Sequence, residues 1–436
     1  MSSLTPSSGP SVGPAGPSIE RAALAAVLRE ARPRLERDLR RVLPTRGEET
    51  LAQLRALLEG RGFEVRLHDG VLVADAPHPG RTLAIHHRVK TAPLGAPPRS
   101  LVATEEILEG RGVSSGLGAL IGAVHASGHL APGLRMRWVV SLADLPPSRE
   151  ALATAYQGVE GALLATGTWP GSRPAALVGA RGRLSVRLSL STGGPSAPEA
   201  EAVAGLARNP LAELAALVSR LADPATGAPS APELRLGAED MTIAEAQHFA
   251  LSGFELRGFA EGHDLRLLRH SDPLEAMEAL WALPSLELLD LESTCLPGQL
   301  PAEARATLAY YLVPNMRAAD VMERLVERIH LEAPEVCVEH LEHEEPWLGR
   351  MHGPLAEAVR EAYRVGFGSR AALVRRAPPL PEAARIQSLG VPVVCASGER
   401  PEHRAGSPEE HLPWSDLVST VTVYAQLLSA WSARLG

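Results

Sequence analysis

The stretch TLAIHHRVKTAP, Thr82 to Pro93, sets two histidines, an arginine and a lysine at the end of an apolar run. Imidazole carries protons near neutral pH and binds divalent metals, so His86 and His87 are candidates for acid–base or ligand work. Arg88 and Lys90 stand beside them as further candidates. Arg88 weighs against a metal: a guanidinium about 4 Å from a dication costs roughly 8 kcal/mol at an effective dielectric of about 20. Arginine cannot shed its proton to relieve that cost. The bland alternative is a polar strand end with no task.

Other clusters carry less. Ser114 and Ser115, in GRGVSSGLG, offer hydroxyls, but no G-x-S-x-G elbow surrounds them, and capping the helix that starts near Leu117 is the simpler role. The same phrase lacks the lysine of a phosphate loop. HLEHEEPWLGRMH, His340 to His352, is the densest His/Glu run. His340 and His343 lie three apart on an expected strand, so alternation puts them on opposite faces and argues against a shared metal. GERPEHRAGSPEEH is polar and turn-rich, and is expected to be a solvated loop.

The elements that must position these groups follow from periodicity. IERAALAAVLREARPRLERDLRRVL and EETLAQLRALLEGRG have helical spacing. FEVRLHD, GVLVADA, RTLAIHH, LRMRWVVSLAD and GALLATG read as strands, and LGALIGAVHAS as a helix. This alternation predicts an α/β sheet, and strand C-termini in such sheets line ligand crevices. The character changes near Gly179. GRLSVRLSLST, FELRGFA, SLELLDLES, ATLAYYLVP and EVCVEHLEH look like strands, with helices at NPLAELAALVSRLAD and AADVMERLVERIHL. That order predicts a small α+β module, residues 180–345, inserted into an α/β domain of residues 19–179 and 346–436. The α/β pattern resumes with PLAEAVREAYRVGFG, VPVVCAS and a C-terminal helix over SDLVSTVTVYAQLLSAWSARL.

Length and composition set the outer bounds. The 436 residues, 45% hydrophobic, suffice for two or three domains with a large core. A net charge of −8 with scattered basic residues disfavours nucleic acid and anionic membranes as partners. Cys295, Cys337 and Cys395 are too few and too far apart for a disulfide framework. No run of apolar residues is long enough to span a bilayer. Residues 1–18, rich in Ser, Pro and Gly, lack the basic and apolar regions of a signal peptide and are expected to be a disordered tail. A cytoplasmic location is the expectation.

Five phrases in order carry a family resemblance. RGVSSGLGALIGAV resembles R-G-x-S-D-x-K-G, and PAALVGARGRLSVRLSLSTG resembles a strand entering an inserted domain. Asn209-Pro210 precedes a helix, LPAEARATLAYYLVPN resembles I-P-x-x-A-x-A-x-x-x-R-L-V-P, and SPEEHLPWSDLV resembles the closing H-x-P-N-E-x-x-x-x-x-D. Together they are similar to the di-zinc amidohydrolases of metallopeptidase family 20, the family of carnosinase, aminoacylase and succinyl-diaminopimelate desuccinylase. The resemblance implies a zinc-exopeptidase-like α/β domain interrupted by a ferredoxin-like lid and dimerisation domain. It also implies two zinc ions sharing a carboxylate and a water, with a glutamate as general base.

Carried over residue by residue, the resemblance implies a depleted site. His86 keeps a ligand position, but Arg88 stands where an orienting Asp is expected. The bridging Asp falls on Ser115, the general base on Ala143, and a neighbouring carboxylate on Asp144. Further ligands fall on Thr166 and Gly406, where neither residue is a zinc donor. The lid histidine falls near Glu199 to Glu201, and the substrate loop on Ala377 to Pro381. His403 and Glu105 or Glu106 are the nearby residues that a shifted alignment would recruit. Asp144 either acts as a base or neutralises Arg88.

The expectation is a degenerate member with no metal and no cofactor, a pseudo-peptidase binding a peptide or acyl-amino-acid-like ligand or a protein partner, and a homodimer through its lid. Whether any catalysis remains is open in the sequence. The alternative is a metal-independent enzyme using His86, His87, Arg88, Lys90 and Asp144 for acid–base or cyclisation chemistry. A second alternative is a true zinc dipeptidase with displaced ligands.

Overall fold

Helix Arg21–Val42 buries Leu24, Leu28, Ala31, Leu35, Leu39 and Val42, one stripe at helical spacing, and carries Pro33 on its exposed side. The computed structural model to which it belongs describes residues 20–77, 82–90, 100–130, 135–143, 145–192, 194 and 197–433. The N-terminal tail and Asp144 therefore lie outside the described residues. The chain divides into two compact units: Met1–Ala176 with Arg350–Ala372 and Arg385–Gly436, and Leu177–Gly349 with Leu373–Ala384.

The first unit is built on strands Glu64–His68, Val71–Asp75, Arg135–Leu142, Thr82–Val89, Val159–Leu164 and Val393–Ala396, adjacent in that order. The last four run parallel to one another, so their C-terminal tips emerge at one end of the sheet. The histidine strand, Thr82–Val89, lies between two parallel partners and is buried along nearly its whole length. A strand covered on both faces needs apolar side chains on both, which explains the continuous TLAI run. Backbone bonds tie the tips together: Ala143 N–H donates to Val89 O at 2.9 Å and Ala165 N–H to His86 O at 2.8 Å.

Helices Gly118–His125, Pro354–Phe367 and Trp414–Ala433 also belong to this unit. At Gly366 an added Cβ would lie 2.7 Å from both Ser419 O and Val423 Cγ2, so only glycine lets the last two helices approach this closely. Arg137 and Asp75 form a buried ion pair on adjacent strands, at 2.7 Å, with further Arg137 bonds to the carbonyls of Ala155 and Gln157.

The second unit holds a four-stranded antiparallel sheet in the order Ser285–Ser293, Glu303–Leu312, Gly182–Ser191, Cys337–Glu344. Helices Pro210–Leu221 and Ala318–Glu332 contribute Leu214, Leu217, Val321, Leu325 and Ile329 to its core. Strand, helix, two strands, helix, strand in this order is the ferredoxin-like arrangement. One element differs from its sequence reading. FELRGFA is not a strand: Leu256–Gly262 is a helix, and Phe254 packs its ring on Phe259 and Trp281 at centroid distances of 5.4 and 5.8 Å. So short an apolar segment fits either period, and an aromatic cluster decided it.

Candidate functional site

The histidine strand points its two imidazoles to opposite faces of the sheet, as strand alternation requires. His86 is fully buried. Its Nδ1 pairs with the Tyr156 hydroxyl at 3.0 Å and its Nε2 with Ser141 Oγ at 2.9 Å. Burial, then the positive charge of Arg88 and the nearby His87, push its pKa down to about 3. His87 is also fully buried, on the other face, between Trp138 and Tyr424, each with its ring centroid 5.7 Å away. Neither of its ring nitrogens has a hydrogen bond of normal geometry. Burial holds its pKa down at about 3, which the adjacent Gly116 backbone offsets only in part. Both histidines are therefore neutral at physiological pH.

Arg88 shares the His86 side and is half-buried, with Nη2 3.4 Å from the Ala143 carbonyl. Lys90, at the exposed strand tip, has Nζ 3.9 Å from the position a Cβ would take on Gly406. The cations of the opening motif thus sit at the sheet's C-terminal end, while its histidines lie within the packed layers.

The neighbouring tips are organised by a carboxylate that the sequence reading passed over. Glu410 is fully buried, and its Oε1 accepts bonds from Ser114 N, Ser114 Oγ and Ser115 N at 2.8, 2.8 and 2.9 Å. Its Oε2 accepts from Gly112 N and Gly406 N, both at 2.7 Å. Five donors on one carboxylate compensate for its removal from water. Ser114 is not a helix cap: its hydroxyl donates to Glu410, and helix Gly118–His125 has no side-chain cap. Among the described residues the buried Ser115 Oγ has no hydrogen-bond partner, and Ser115 and Gly116 depart from helical geometry, Gly116 at a φ of 111°.

The segment from Gly398 to His411 is not the solvated loop its composition suggested. His403 is fully buried; its Nδ1 accepts from Arg400 N at 3.2 Å and its Nε2 bonds Asp416 Oδ2 at 2.9 Å. With both nitrogens engaged, His403 is committed to the packing. Arg400 also reaches Asp416, at 3.1 Å, and stacks over Trp169. Glu399 accepts a bond from Thr168 Oγ1, and burial raises its carboxyl pKa against the opposing pull of Thr168 and Lys90.

Among the remaining candidates, Thr166 and Gly406 are half-buried at the tips, and Ala143 lies beside Val89. Glu105 and Glu106 are exposed on the turn between short strands Val102–Ala103 and Ile107–Glu109. Among the described residues, no group of three or more His, Cys, Asp or Glu side chains is placed to hold a metal ion. In the second unit the expectation for His340 and His343 is overturned. A register shift between His340 and Glu342 places the two residues opposite Val186 and Leu184, on one face, with His343 Nδ1 3.1 Å from His340 Nε2.

An α/β unit on a largely parallel sheet, interrupted by a ferredoxin-like insert, defines a class: this is the fold of the M20 peptidase family. Solved structures place it there across almost the full chain. The M20 family metallo-carboxypeptidase Sso-CP2 from Sulfolobus solfataricus superposes with a TM-score of 0.78 at 19% identity, over 93% of this chain and 99% of that one. Human carnosine dipeptidase 1 gives 0.75 at 17% identity, over 96% and 100%. The dipeptidase Dug1p from Saccharomyces cerevisiae gives 0.75 at 16% identity, over 95% and 98%. No family model and no curated protein matches the sequence. Among the described residues, no helix is long and apolar enough to cross a membrane.

Proposed function

We propose that this chain is a non-hydrolytic relative of the M20 peptidases in fold, and that the C-terminal end of its parallel strands binds the anionic end of a peptide or acyl-amino-acid-like ligand. One observation carries the reading: the donors at the tips do not fit a pair of zinc ions. Both nitrogens of His86 are engaged. Ser115, Thr166 and Gly406 supply no zinc donor where the resemblance implies ligands. Arg88 is permanently charged, and Lys90 sits beside Gly406. No step is therefore routed through a metal. Arg88 and Lys90 instead bring positive charge that suits a carboxylate, and the fold neighbours, dipeptidases and a metallo-carboxypeptidase, make a peptide-like ligand the natural class.

Calorimetric titration with N-acetyl amino acids tests this. Saturable binding is expected, weakened about tenfold in Lys90→Ala, the loss of one charge-assisted hydrogen bond. Near-stoichiometric zinc on purified protein, with turnover of dipeptides or N-acyl amino acids, overturns it.

The second reading, a metal-independent enzyme, is favoured by Glu399. A carboxyl whose pKa is raised by burial, with Lys90 pulling the other way, is suited to proton transfer. Pairing of subunits through the ferredoxin-like unit and a cytoplasmic location complete the proposal; sedimentation of the full chain checks the pairing.

A further inference from the structure

The strand Cys337–Glu344 forms one edge of the second unit's sheet. Its bulge turns a His-x-x-His spacing, which alternation would divide between two faces, into a pair on one face. Both histidines are exposed, and the two facing nitrogens are 3.1 Å apart. Glu339 and Glu342, which flank them, are engaged with Arg187 and Arg183 at 3.1 and 2.6 Å. They therefore do not neutralise the imidazoles.

We propose that His340 and His343 form a two-histidine chelate for a divalent first-row transition metal, copper(II) by preference. The geometry matches the bite of one ion. Two imidazole nitrogens about 2.0 Å from a metal are about 2.8 Å apart at a right angle and about 3.3 Å apart at a tetrahedral angle. The observed separation lies between these. Without metal, one nitrogen donates a hydrogen bond to the other; on binding, the donor ring carries its proton on its other nitrogen, so both facing lone pairs turn to the metal and both rings stay neutral. Copper(II) leads because imidazole sites follow the Irving–Williams order. No third His, Cys, Asp or Glu among the described residues joins the pair, so water completes the shell.

The experiment is a copper(II) chloride titration of the full chain, followed by electron paramagnetic resonance and calorimetry. One equivalent with a two-nitrogen signature is expected, and His340→Ala and His343→Ala should each weaken that site at least tenfold while the far-ultraviolet circular dichroism stays unchanged. The double variant should be no weaker than either single one, because a chelate is lost with its first member. Equal copper binding in parent and variants, or a one-nitrogen signature, would mean a hydrogen bond only and overturn the proposal. Zinc analysis of the double variant separates this site from the strand tips of the first unit.

Discussion

His87 shows how one residue can be legible by type and misleading by role. Its chemistry suggested a ligand or a base, but it is a buried ring between two aromatics with no hydrogen bond of normal geometry on either nitrogen. A folded-state pKa of about 3 against an unfolded value near 6.5 has a definite sign. Above about pH 6.5 the histidine is neutral in both states and exerts no pH effect. As pH falls from there toward 3, only the unfolded chain takes up the proton, and stability is lost. His87→Phe keeps the ring and removes the unsatisfied nitrogens. Urea unfolding should show a gain of about 1 kcal/mol at pH 7.5, growing as the buffer is taken to pH 5; a loss at both pH values would show that the imidazole has a partner of consequence.

At the scale of elements, strand parity and its exceptions decide what meets what. Alternation alone separates His86 from His87, and one extra residue in the edge strand reunites His340 with His343. The first was legible in the sequence, because a regular strand has period two; the second was not, because a bulge leaves no mark in composition. The Gly398–His411 segment was misread for a related reason. Its polar residues are satisfied by contacts distant in sequence, such as Glu410 on the turn at Gly112–Ser115. Glu410→Gln replaces an acceptor-only carboxylate by an amide that must face donors with its own N–H groups. A loss of about 2–4 kcal/mol in denaturant unfolding is expected, since several charge-assisted bonds are weakened together. A change below 0.5 kcal/mol would mean that the turn is held by other contacts.

For the molecule as a whole, the strand tips are tied by hydrogen bonds and ion pairs: Glu410 with its five donors, and His403 with Arg400 on Asp416. If the tips hold no zinc, as proposed, the native state gains nothing from that metal by mass action. Excess EDTA should therefore leave the Tm within about 1 °C of the untreated protein. A fall of several degrees would show that a metal contributes to the first unit's stability. The fold itself was largely legible. The apolar runs at periods of two and 3.6 marked the main sheet and its helices.

What the sequence determined by itself was the kind and order of the elements and the charge of the strand tip, because periodicity and residue type are local properties. The tertiary structure alone decided which polar groups are spent and which remain available. Whether His86 finds Tyr156, His403 finds Asp416 or Glu410 finds the Gly112 turn depends on atoms up to about three hundred residues apart in the chain, brought within hydrogen-bond reach only by packing.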